Sequence, residues 1–236
     1  MGYNLLSIFY QHILMKYWQG METQRITQVP EPGSRRSNTG QLRSGTNLAN
    51  RYLIQDVIGV GGMGSVYRAR DLHFPNVVKL VAVKEMINQA PDPLVRQVVV
   101  QNFEREANIL ATLSHPSIPR IYDYFTLDNR SYLVLEYVNG HDLDVVLSQA
   151  DGFMRAEQVL DWGIPLCAVL SFLHTHKPDP IIFRDMKPSN VMVNQHNHIV
   201  LVDFGIAKSF QVGQKGTMIG TEGYSPPEQY RGEANA

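Results

Sequence analysis

Between Gly59 and Gly64 the chain carries three glycines at G-x-G-x-x-G spacing (Gly59, Gly61, Gly64), and the segment directly after them restricts the fold more than any other feature. Glycines so placed let backbone N–H groups approach phosphate oxygens with no Cβ in the way. A dinucleotide-binding fold shares the spacing but needs a helix directly after the loop. Here Ser65-Val66-Tyr67-Arg68-Ala69 reads as a strand, as does Tyr52 to Ile58 before it. The loop therefore joins two strands, and the dinucleotide reading fails.

The same grammar continues downstream. Asp71 to Lys79 is a loop marked by Pro75 and Asn76, and Leu80 to Met86 is a third strand. Pro93 to Leu113 has helical spacing, with Phe103, Ala107, Leu110 and Leu113 near one face. Strands Ile121 to Thr126 and Tyr132 to Glu136 flank the turn at Asp128-Asn129-Arg130. After about Val138 the pattern turns helical. Val159, Trp162, Leu166, Val169, Leu170 and Leu173 form a stripe, with Pro165 inside the helix on another face, where it removes a backbone hydrogen bond and bends the axis. Short strands at Val191 to Val193 and Ile199 to Val202 come next. The expected class is α+β: a small antiparallel lobe with one long helix (residues 51–138), then a mainly helical lobe (residues 139–236), with a ligand crevice between them.

Composition limits the alternatives. Lys+Arg 21 against Asp+Glu 22 gives no support to nucleic-acid binding or to general adhesion to anionic membranes. One cysteine, Cys167, forms no intrachain disulfide; set in the apolar run Ile164 to Leu173, it reads as a small core residue, and the protein as intracellular. Residues 1–20 are apolar, but Gln11, His12 and Lys16 interrupt any continuous span, and neither a secretory signal nor a myristoylation motif fits. They read either as a start-site artefact preceding Met21 or as an interfacial helix. Residues 21–50 are polar, with Pro30, Pro32, Gly33 and Gly40, and read as a disordered tail.

Several residues carry chemistry. Ala82 and Lys84 share one side of their strand, and Glu106 on the following helix is placed to hold the Lys84 ammonium; Glu104 competes, but Phe103 and Ala107 fix the inward face in favour of Glu106. Phe183-Arg184-Asp185-Met186-Lys187-Pro188-Ser189-Asn190 is the strongest local signal, with Asp203-Phe204-Gly205 downstream of it. In this order the motifs resemble the catalytic loop and metal-binding motif of the eukaryotic-type (Hanks-type) serine/threonine protein kinases, over Arg51 to about Gly232. The run from Gly220-Thr221-Glu222 to Pro227-Glu228-Gln229 is similar to bacterial members.

The resemblance implies a bilobal protein-kinase fold, ATP and Mg²⁺ (with Mn²⁺ as an alternative), and a protein substrate with a Ser or Thr acceptor. Ile58, Val66, Ala82 and Met192 would sandwich adenine, with Leu135 behind it; backbone groups of Glu136 and Val138 would meet the adenine edge, and Asp142 the ribose. Lys84, held by Glu106, would grip the phosphates beneath Gly59, Gly61 and Gly64. Asn190 and Asp203 would hold the metal, Asp185 would take the hydroxyl proton, and Lys187 would offset charge on the transferred group. Thr221 would bond Asp185 and Lys187, and Arg184 could pair with a phosphate on Thr217, a residue that reads equally as an ordinary polar loop position. Phe183, where the family usually has His, would pack on Phe204. A nucleotide-binding pseudokinase is the alternative, and it would need the loss of Lys84, Asp185 or Asp203. A cytoplasmic location is expected, with a dimer for trans-autophosphorylation and a membrane-anchored parent within the family's range; contact with a membrane would come from residues 1–20 or from segments beyond this sequence. The family's large lobe runs on past the position of Ala236, so the resemblance implies a truncated catalytic domain, with an inactive fragment as a further alternative and an apolar face near Trp162, Leu166 and Val169 left exposed.

Overall fold

Side-chain alternation builds the first half. In β3 (Gly64–Asp71) and β4 (Leu80–Ile87), Ser65, Tyr67, Ala69, Val81, Val83 and Glu85 are buried on one face, while Val66, Ala82 and Lys84 lie half-buried on the other. These strands belong to a six-stranded antiparallel sheet in the order β1 (Asn47–Leu48), β2 (Tyr52–Gly61), β3, β4, β6 (Arg130–Glu136), β5 (Ile121–Leu127). The computed structural model describes residues 41–61, 64–87, 93–128, 130–204, 221 and 223–230.

The sheet curls until its two ends meet through side chains. Tyr52 of β2 stacks on Phe125 of β5 at 5.9 Å, Phe125 stacks on Tyr132 at 5.2 Å, and Tyr52 Oη donates to Asp123 at 2.8 Å. Arg51 clamps the seam, forking onto Asp71 with two bonds of 2.9 Å and reaching Asp123 at 3.2 Å. Inside lie Leu48, Tyr52, Ile54, Tyr67, Ala69, Val81, Val83, Tyr132 and Val134. Glu85 is fully buried among them yet satisfied: Tyr67 donates at 2.6 Å, Arg130 at 2.6 Å and Tyr132 at 3.2 Å.

The polar tail expected to run through residue 50 ends sooner. Thr46 O and Gly45 N both bond to Ile54, Leu42 N donates to the Tyr67 hydroxyl at 3.0 Å, and Leu48 is 3% exposed. One apolar side chain in a core and a few backbone bonds are enough to order a segment that has no pattern of its own. Residues 1–40 lie outside the described residues.

Helix α1 (Pro93–Thr112) sits on the Lys84 side of the sheet and buries Phe103, Glu106, Ala107 and Leu110, three or four apart as one helix face demands. The large lobe contributes β7 (Gly140–Asp142), α2 (Leu143–Gln149), α3 (Ala156–His174), a single 3-10 turn (Pro188–Asn190), β8 (Val191–Asn194), β9 (Ile199–Leu201) and the one-turn α4 (Pro227–Tyr230). Strands β7, β8 and β9 form a small antiparallel sheet. Leu201 N donates to Ser117 O, and His115 packs on Phe172 at 5.0 Å, so the loop after α1 is pinned to the large lobe.

Helix α3 continues through Pro165. Its buried face is Trp162, Leu166, Val169 and Leu173, with Trp162 Nε1 donating to Asn197 Oδ1 at 2.9 Å. Trp162, Leu166 and Val169 are themselves buried, with Asn197 of the hairpin between β8 and β9 against Trp162, while the apolar face expected to stand exposed near them does so at Leu160, Ile164 and Cys167. The outward face is Leu160, Ile164 and Cys167, and Cys167 is exposed rather than a core residue. An apolar run marks Cys167 as core, but helix phase decides burial, and position 167 falls next to Leu166 on the other side.

Candidate active site

Strand β4 delivers Lys84 to the crevice because Ala82 and Lys84 face away from the sheet's interior. The ammonium sits 3.0 Å from Glu106 Oε1 on α1 and 2.9 Å from Asp203 Oδ1 in the large lobe, and 6.0 Å from the Phe103 ring centre. Burial pulls its pKa down, but the carboxylates of Glu106 and Asp203 outweigh that and hold it above the ordinary lysine value, so it is fully protonated. Glu106 is 2% exposed and Glu104 is on the solvent side, as the helix phase requires.

The pairing register places the expected adenine-contacting side chains together. Gly59 pairs with Val66, Val66 with Lys84, and Ala82 with Leu135, so Val66, Ala82, Lys84 and Leu135 share one face of the sheet. Ile58 falls at a register shift between Val57 and Gly59; the bulge re-aims it, and it is 46% exposed. Met192 is paired with Asp142 across β7 and β8. Glu136 N–H donates to Arg120 O at 2.8 Å, and Val138 lies half-buried in the connection to β7. Asp142 has a second role that the expectations from sequence omit: its Oδ1 caps α2 by accepting from Val145 N at 2.9 Å. Asp before an apolar helical run is a legible cap signal.

Among the three glycines the structure distinguishes sharply. A Cβ on Gly64 would run into the Glu85 carbonyl oxygen and lie 2.9 Å from its carbon, whereas one on Gly59 would make an ordinary 3.7 Å contact with Val66. Gly61 meets only the Gly64 oxygen, at 3.9 Å. Gly64 is there for the approach of β3 to β4. Gly62 and Met63 lie outside the described residues.

The catalytic-loop residues converge on one carboxylate. Asp185 Oδ1 accepts from Thr221 Oγ1 at 2.7 Å; Oδ2 accepts from Asn190 Nδ2 at 3.0 Å and faces Lys187 Nζ at 3.2 Å. Lys187 Nζ also donates to Thr221 Oγ1 at 3.2 Å, and Asn190 Nδ2 to Asp185 O at 2.8 Å. Asp185 is 3% exposed. Phe183 meets Phe204 edge to face at 5.2 Å, both buried, so an apolar contact stands in for the imidazole of the usual motif. Thr217, Gly205, Gly220 and Glu222 lie outside the described residues. Arg184 is half-buried, at φ 56.

The donor set fits a hard divalent cation shared with a substrate. With Asn190 Nδ2 committed to Asp185, its amide oxygen is the end turned elsewhere, and Val202 N donates to Asn190 O at 2.9 Å, which brings Asp203 beside it. Among the described residues no group of three or more His, Cys, Asp or Glu side chains gathers to hold a metal alone. One carboxylate and one amide oxygen are what Mg²⁺ uses when phosphates and water complete its octahedron.

A family model described as the protein kinase domain matches residues 52–235. The serine/threonine-protein kinase PknB of Mycobacterium leprae is 36% identical over 197 residues, covering 80% of this chain and 30% of that protein. Serine/threonine-protein kinase B of Synechocystis sp. is 34% identical over 195 residues, covering 77% and 33%. The chain thus spans about a third of the length of these relatives. Among solved structures, the PknI kinase domain of Mycobacterium tuberculosis is 26% identical with a TM-score of 0.57, covering 70% of this chain and 62% of that one. The apo form of PpkA reaches a TM-score of 0.65 at 24% identity, a likeness of fold, covering 72% and 64%.

Proposed function

The chain belongs to the protein kinase domain family, and from that premise we propose that it binds ATP in the crevice and transfers the γ-phosphate to a serine or threonine hydroxyl of a protein. The observation that carries this reading is the set of bonds around Asp185, in which Lys187, Asn190 and Thr221 hold one carboxylate in place at 2.7 to 3.2 Å.

Adenine lies between Ile58, Val66 and Ala82 on one side and Met192 on the other, with Leu135 behind, the Glu136 and Val138 backbone at its edge and Asp142 toward the ribose. Gly59, Gly61 and Gly64 would let backbone N–H groups approach the phosphates. Lys84, a fixed cation rather than a base, holds the α- and β-phosphates, and Glu106 keeps it there. Asn190 and Asp203 would hold Mg²⁺, with Mn²⁺ as an alternative, which would offset charge on the phosphates. Asp185 orients the acceptor hydroxyl; the hydroxyl oxygen bonds to the γ-phosphorus as the bond to the β–γ bridging oxygen breaks, ADP leaves, and the hydroxyl proton goes to Asp185. Lys187 offsets the charge on the transferred group.

The contact of Thr221 with both Asp185 and Lys187 supports a Ser/Thr acceptor, because it builds the platform on which a small hydroxyl side chain would rest. Phosphate on Thr217 paired with Arg184, delivered by a second copy of the chain, is the regulation that goes with this reading. A cytoplasmic setting is the reading that goes with the single thiol.

The test is phosphate transfer from ATP to a generic protein substrate. Asp185→Asn should cut turnover by about 10²–10⁴-fold while preserving the thermal shift given by Mg-ATP. Full turnover in that variant would remove Asp185 from the role of base.

A further inference from the structure

The peptide unit in front of Asp185 is held in a strained shape. Arg184 has φ 56, and Asp185 N donates to Phe183 O at 2.7 Å across it, a three-residue turn of the positive-φ kind that non-glycine residues seldom adopt. Such a turn fixes the N–H end of the peptide between Arg184 and Asp185 and points its carbonyl the opposite way. That carbonyl meets Gln229: Nε2 donates to Arg184 O at 2.7 Å, and to Ser225 Oγ at 3.3 Å. Gln229 is 6% exposed and lies in α4, with its own N–H on Pro226 O at 3.0 Å. A carbonyl accepts and never donates, so the amide nitrogen must face Arg184, whichever way the side chain is drawn.

We infer that Gln229 is a positioning residue for the catalytic carboxylate, an inference that rests on the kinase reading above. Its amide holds the carbonyl end of the one peptide whose other end is held by Phe183, and so keeps the turn from relaxing. Without that donor the Arg184 oxygen loses its partner, and the peptide can rotate to relieve φ at Arg184 while finding another donor. Asp185 is the next residue along, so its side chain turns with it, away from Thr221. Gln229 touches neither nucleotide nor acceptor. It reports instead on the segment around Ser225 and Pro226, tying the acceptor platform to the catalytic loop by a bond separate from the one Thr221 makes.

The experiment uses the full chain with Gln229→Met, which keeps length without a donor, and Gln229→Leu as a second variant. Two readouts are taken: kcat and KM for ATP, and amide hydrogen exchange. The expected result is a fall in kcat of about 10–10²-fold, the scale of a small misplacement of a reacting group, with KM for ATP within about twofold of the parent. Exchange should quicken in peptides spanning residues 181–190 and stay unchanged in the six-stranded sheet. Unchanged exchange over residues 181–190 would overturn the inference, and so would faster exchange across the whole molecule, the mark of a purely structural loss. Exchange needs no turnover, so a chain that transfers no phosphate would defeat the proposed function and still leave this inference decided.

Discussion

At the scale of single residues, the three loop glycines do different work. A methyl group on Gly64 collides with the backbone carbonyl of Glu85, and backbone cannot swing aside as a side chain can. Gly64→Ala should therefore lower unfolding free energy by about 1–3 kcal/mol, in the range of forced overpacking, as read from urea melts. Gly59→Ala, with only an ordinary contact to Val66, should change stability by less than about 1 kcal/mol and show its effect in a raised KM for ATP. The spacing of the glycines is legible in the sequence; this division is not. It depends on how closely β3 approaches β4, a distance that no local pattern encodes. Lys84 and Glu106 are legible for the opposite reason. Strand parity and helix phase are local, and together they point two charged groups at the same space. Gln229 gives no such signal, because its partner is the backbone oxygen of a residue 45 positions earlier.

At the scale of elements, α2 and its cap give a separable test. Asp142 both starts α2 and is the residue assigned to the ribose, so its two roles can be split. Asp142→Ser keeps a capping oxygen but is too short to reach a ligand, and should hold stability within about 0.5 kcal/mol. Asp142→Ala should cost about 1 kcal/mol in thermal unfolding. Both should raise KM for ATP; if neither does, Asp142 is a cap and nothing more. The long strands and helices are legible because alternation or a 3.6-residue period runs through each of them. Strands β1 and β7 have two and three residues, too few for any period, and exist because partners in β2 and β8 claim them. Helix α3 is legible too, with an apolar flank left exposed, but the element that meets its buried face at Trp162 is not. That element is the hairpin at Asn194 to Ile199, distant in sequence and reached through the bond from Trp162 to Asn197.

At the scale of the whole molecule, one seam closes the sheet, and its chemistry sets an acid limit. Asp71 is 1% exposed; the hydrogen bond from Arg51 holds its pKa below the ordinary value of 3.8, against the upward pull of burial. A folded value depressed below the unfolded one contributes stability that is complete above the unfolded value and is lost as pH falls through the folded one. Resistance of the parent to urea should therefore fall as pH drops below about 4. Asp71→Asn should cost about 1.5–3 kcal/mol at neutral pH, the range for a hydrogen bond to a charged group, and flatten that acid slope. Parallel slopes in the two proteins would place the acid sensitivity elsewhere. Asp185 carries a different consequence. Thr221, Asn190 and Lys187 already occupy both of its oxygens in the resting molecule, so a stray water in the crevice must compete with three well-placed partners before it can give up a proton. On the proposed reading, a proton can pass to Asp185 only after one of these partners has given way, so the arrangement makes transfer depend on what arrives beside Thr221.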